Sequence, residues 1–106
     1  MPNLSDPAVL PALIDETWKL YLQSSEPQKS QLAENLQELH QELIKLTDLK
    51  LDPQQQNYKD AVAAIQSATQ QLKNAQADQT KVADSINQVA SVISALAKIA
   101  GLVGLG

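Results

Sequence analysis

The sequence predicts an all-α fold, an up-and-down bundle of four helices, each about 20–25 residues long. Three observations carry that prediction. Sixteen Leu, fourteen Ala and fourteen Gln stand against three aromatic residues, Trp18, Tyr21 and Tyr58, and no Phe, a mix that favours helix over strand. Capping-type residues precede proline at three places and cut the chain into segments of similar length. Apolar residues in those segments recur every three or four positions, and period-two alternation is missing. At 106 residues the chain is sized for a single domain, 1–106.

The first helix is expected over 6–24. Ser5-Asp6-Pro7 places an acceptor beside a proline that the first turn tolerates. Pro11 lies inside this segment. It either kinks the helix or marks its true start, with Pro7–Leu10 as a lead-in. Trp18 and Tyr21 are one turn apart, which suits core anchors, or alternatively an interface pair.

The second helix is expected over 26–51. Ser25-Glu26-Pro27-Gln28 offers Ser at the N-cap, Pro in the first turn and Gln three residues after the cap. Leu32, Leu36, Leu39, Leu43 and Leu46 step by four and three to make a seam, broadened at its lower end by Ile44, Leu49 and Leu51. Glu34, Glu38 and Glu42, with Lys45 nearby, are expected on a solvated face.

Asp52-Pro53 repeats the capping logic and opens the third segment. Tyr58, Ile65, Leu72, Gln79, Ile86, Ile93 and Ala100 are seven apart, as are Ala61, Ala68, Ala75, Val82, Val89, Leu96 and Val103. Together they form an a/d register without a slip. After residue 80, Ala83, Ala90 and Ala97 on one side and Val92 and Ile99 on the other are expected to widen the apolar face. A face that wide needs two neighbours. A polar belt, Gln76, Asp78, Gln79 and Thr80, interrupts the pattern.

Two architectures follow. A turn near Ala77–Thr80 gives helices 53–76 and 80–100 and the four-helix bundle. Matched segment lengths favour it. Without that turn, residues 53–100 form a third and last helix, coiled-coil-like and about 70 Å long, which needs another chain. The unbroken register and the lack of Gly or Pro at 76–80 favour this alternative. In either case Gly101 is expected as the residue after the helix, with Lys98 in the last turn and an apolar tail over 101–106.

The same residues exclude most chemistry. There is no Cys, no Arg, one His and a net charge of −4. The charge divides into −5 over residues 1–56 and +1 over 57–106, so neither half offers the basic stripe of a nucleic-acid binder. His40 sits in His40-Gln41-Glu42-Leu43-Ile44-Lys45. That run lacks the glycine found after the phosphorylated His of histidine phosphotransfer domains, and an acidic residue stands close by. Di-iron bundles pair Glu-x-x-His with facing Glu, but the residue three before His40 is Gln37. Glycines occur only at 101, 104 and 106, so a phosphate-cradling loop is missing. No catalytic residue, cofactor or metal is expected.

The expectation is therefore a non-catalytic interaction or assembly module that associates with itself or another helical protein through the 58–103 heptad face. The candidate interface is Trp18, Tyr21, Val82, Ile86, Val89, Ile93, Leu96 and Val103. The alternative is a membrane-active protein whose apolar segment 82–106 binds or enters lipid. In composition that segment resembles the apolar helix sheltered by α-helical pore-forming toxins. The opening MPNLSDPAVL has no basic region followed by an apolar run, and no stretch has the apolar length of a spanning helix, so a cytoplasmic location is expected.

Overall fold

The structure is a computed structural model. It describes Leu4, residues 6–47 and residues 54–105, with 102–105 as backbone only. Four helices form, α1 (Leu10–Gln23), α2 (Gln28–Thr47), α3 (Gln56–Ala77) and α4 (Val82–Leu105), with a 3-10 turn at Gln79–Lys81 leading into α4.

Local chemistry sets where each begins. The Asp6 carboxylate accepts the Ala8 N–H at 2.9 Å, and the Asp6 carbonyl accepts the Val9 N–H. Residues 6–9 therefore turn, and α1 starts at Leu10 with Pro11 in its first turn, where a missing N–H leaves no bond unmade. Of the two readings of Pro11, the lead-in is correct. Ser5 lies outside the described residues.

At α2 the cap comes from Glu26 rather than from the Ser25 side chain. The Glu26 carboxylate accepts both the Ser30 N–H at 2.8 Å and the Ser30 hydroxyl at 2.7 Å. Ser25 contributes only its carbonyl, to the Lys29 N–H. The expected cap of α3, Asp52-Pro53, lies outside the described residues, as do Leu49 and Leu51.

Asp78 ends α3. Its backbone is extended (φ −141°, ψ 103°), and its carboxylate accepts the Thr80 N–H at 3.1 Å and the Thr80 hydroxyl at 2.7 Å. This is an N-cap for the 3-10 turn, and it selects the four-helix architecture over the continuous third helix. No glycine was needed, because no residue of the turn has positive φ. At the other end the expected stop at residue 100 is corrected. α4 runs through Gly101 to Leu105, so residues 101–105 are helix and not an irregular tail.

α1 packs on α2 and α3, and α4 packs on the same two helices, leaving α1 and α4 on one diagonal and α2 and α3 on the other. Cross-helix bonds give the directions. Gln88 donates to Ser67, and Ser85 donates to the Gln71 carbonyl, so α3 and α4 are antiparallel. The Leu4 N–H donates to the Tyr58 hydroxyl, and Gln76 donates to Glu16, so α1 and α3 run the same way. α1 and α2 form the other hairpin, and the chain runs up, down, up, down. The overall extents of 42 × 23 × 19 Å match a bundle one helix long and two helices across.

Both heptad rows point into this bundle. Tyr58, Ile65 and Leu72 are buried with Val82, Val89 and Leu96, against Leu10, Leu13 and Leu20 of α1 and Leu32, Leu39 and Leu46 of α2. Ala61, Ala68 and Ala75 are buried too, and their small side chains let neighbouring backbones approach α3. The expected widening of the apolar faces holds at Val92 and Ile99, which are buried, and fails elsewhere. Ile44 is 67% exposed, and Ala83, Ala90 and Ala97 are all exposed. In a four-cornered bundle each helix meets neighbours over a limited arc, and these positions fall outside it.

Candidate functional site

The surface feature that departs most from an ordinary polar exterior lies on α1. Its core stripe, Leu10, Leu13, Thr17, Leu20 and Ser24, is buried. Trp18 is one position off that stripe, so its indole emerges at the helix edge, 50% exposed. It is not the core anchor expected. Its ring stacks on half-buried Tyr21, with centroids 5.2 Å apart and planes 20° apart. The Lys29 ammonium, from α2, sits 5.1 Å from the centre of the Tyr21 ring. Leu22, one turn beyond Trp18, is 59% exposed. Among the described residues the exposed large hydrophobic side chains are Trp18, Leu22 and Ile44, all on the α1–α2 hairpin.

The remaining candidate interface residues divide differently. Val82, Ile86, Val89 and Leu96 are buried in the chain's own core, and Ile93 is half-buried against it. The ridge expected to meet another molecule is covered by α2 and α3 of the same chain. The Val103 side chain lies outside the described residues. Heptad spacing marks a face that must be covered, but it does not say whether the cover is intramolecular.

Charged groups frame the aromatic patch. Lys19 lies 3.3 Å from both Asp15 and Glu16, and Asp15 first, then Glu16, pushes its ammonium up from the ordinary value. The second Glu16 oxygen accepts from Gln76 at 2.9 Å, which ties α1 to the end of α3.

A buried carboxylate went unread in the sequence. Glu34 and Glu38 are solvated as expected, but the Glu42 side chain is only 9% exposed. Spacing by four advances 40° around a helix at each step, so a row of Glu that starts in solvent rotates inward by its third member. One Glu42 oxygen lies 3.6 Å from Lys45. The other is buried without a hydrogen-bond partner. Asn35, two turns earlier on α2 and also buried, does have a partner: its side-chain amide donates to the Ile86 carbonyl at 3.4 Å.

His40 is exposed, and no group of three metal-ligating side chains occurs among the described residues. Two open clefts flank the α3–α4 hairpin. One, of about 190 Å³, is lined by Gln71, Asn74, Lys81 and Asp84. The other, of about 340 Å³, is lined by small and polar side chains including Asp60, Ala64, Ser94 and Lys98. Neither brings an acid, base and nucleophile together. No helix among the described residues is long and apolar enough to cross a membrane. Comparison of the chain with known protein families, curated proteins and solved structures finds no match.

Proposed function

We propose that this protein is a non-catalytic helical interaction module that self-associates through the outer edge of α1, with Trp18 as the central contact. The observation that carries the reading is the half-exposed, stacked Trp18–Tyr21 pair beside exposed Leu22. Trp and Tyr supply large contact areas at small entropic cost and dominate binding hot spots. The Lys29–Tyr21 contact holds the platform in place before any partner arrives.

Because Trp18 is the only tryptophan, its emission reports this contact directly. The expected result is a blue shift with rising protein concentration, in step with a larger sedimentation coefficient. Trp18→Ala abolishes the larger species without changing helicity. A chain that sediments as a monomer up to millimolar concentration, with unchanged Trp18 emission, refutes the proposal.

A further inference from the structure

Asp78 is the single residue between Gln56 and Leu105 outside helical secondary structure. The 3-10 turn at Gln79–Lys81 has dihedral angles close to those of an α-helix, and Val82 is already helical (φ −63°, ψ −46°). Rotation at one residue therefore converts α3, the turn and α4 into one continuous rod. No helix breaker in Gln76–Lys81 forbids that rod, since the segment has neither Gly nor Pro. The hydrophobic register does not resist it either. Tyr58, Ile65 and Leu72 continue at sevenfold spacing through Gln79 to Ile86, and Ala61, Ala68 and Ala75 continue through Val82 to Val89. Independent helices joined by a turn have no reason to share a heptad phase, so the shared phase is an observation in its own right.

The hairpin register sets the geometry of the open form. The Ser67–Gln88 and Gln71–Ser85 contacts centre between positions 77 and 78 and on position 78. Two open chains crossing antiparallel at that position would restore each of these contacts between copies. Val82, Val89 and Leu96 of one chain would then fill the core that the other chain's α4 has left. Gln79, the polar a position, would lie beside the two-fold axis, where an uncharged polar residue fixes register.

We infer that the α3–α4 turn is an exchange hinge, through which two copies of the chain swap α4 to form a dimer, and that Asp78 is the latch that keeps it closed. The latch works in both states. In the closed form the Asp78 carboxylate caps the turn by accepting from Thr80. In the open form the two Asp78 side chains approach each other at the axis and repel. The exchange is distinct from the Trp18 contact, which involves a different helix and a different surface.

The test uses three hinges: the natural one, Asp78→Ala and Gln79→Pro. Ala removes the cap, removes the repulsion and favours helix. Proline at 79 suits the extended backbone of Asp78 and forbids a continuous helix through that position. Each hinge is combined with Ser67→Cys and Gln88→Cys, the only thiols in a chain without natural cysteine. A short bis-maleimide then links α3 to α4 within one chain when the hinge is closed and between chains when it is exchanged. The Asp78→Ala dimer should show the interchain link. Its association constant should rise about 100-fold over the natural hinge, roughly tenfold for each of the two hinges opened. Gln79→Pro should give only the link within a chain. A dimer linked only within each chain refutes the exchange and leaves the Trp18 contact standing. An Asp78→Ala chain that stays monomeric, or a Gln79→Pro chain that links between copies as readily, also refutes it.

Discussion

Glu42 and Trp18 are placed against the usual partition of side chains, a carboxylate inside and an indole half outside. For Glu42 the cost falls on stability. One oxygen is buried without a partner, and the other has only a 3.6 Å contact with a solvent-exposed lysine. The attraction to Lys45 is weakened by water on the lysine side, while the carboxylate has already lost its own hydration. Glu42→Met keeps similar volume and removes the charge, and it should stabilise the bundle by about 1–3 kcal/mol in a urea titration. A loss of stability would instead show that the carboxylate has a favourable role. Glu42 was not legible as it stands, and Trp18 was legible only as the alternative to a core anchor. Both lie at the boundary between faces, where a one-position offset or a 40° precession decides the environment, and composition alone does not fix that phase. Leu32, Leu36, Leu39 and Leu46, well inside their stripe, were legible and are buried.

At the scale of an element, the helix starts were readable in kind and displaced in detail. Proline with an adjacent acceptor marked α1 and α2 correctly, but the carboxylates at work are Asp6, in the turn that leads into α1, and Glu26 at α2, where the expected Ser25 side chain does not cap. A serine competes with a neighbouring carboxylate for the same N–H groups, and the charged acceptor makes the stronger bond. The turn near Ala77–Thr80 was legible from matched segment lengths and a polar belt, but not the role of Asp78 in it, because a capping Asp without Gly or Pro resembles an interruption on a helix surface. The two carboxylate caps carry a pH dependence. Hydrogen bonds from Ser30 hold Glu26 below its ordinary value, and hydrogen bonds from Thr80 do the same for Asp78. A carboxyl group lowered on folding adds stability that is complete above the unfolded value, near pH 4, and is lost as pH falls through the folded value. Melting temperature should therefore drop between about pH 5 and 3. Asp78→Asn, which keeps an N-cap acceptor but cannot titrate, should flatten its share of that drop while leaving stability at pH 7 nearly unchanged. An Asp78→Asn profile that overlays the natural one shows that the cap contributes nothing to folding.

On the scale of the whole molecule, the question the sequence left open was which surface covers the α4 ridge. Periodicity demanded a cover and gave two solutions, a turn within the chain or a second chain. The fold takes the first, with Val82, Val89 and Leu96 inside a core that also holds α1 and α2. The choice was hidden because Tyr58–Ala75 and Val82–Leu96 share one register, so the sequence reads the same folded back or extended. Mutation at Leu96 separates the solutions. Leu96→Ala removes a fully buried side chain and should cost about 2–5 kcal/mol. For a single domain of about 100 residues that lowers the melting temperature by roughly 10 °C or more. Because the cover is intramolecular, the drop should be the same at 2 and at 200 µM, since only stability linked to association follows concentration. Trp18→Ala, at an edge the chain itself leaves open, should move the melting temperature by no more than a few degrees at low concentration. A Leu96→Ala penalty that shrinks on dilution would assign the ridge to a partner and overturn the four-helix arrangement as the state of the free chain.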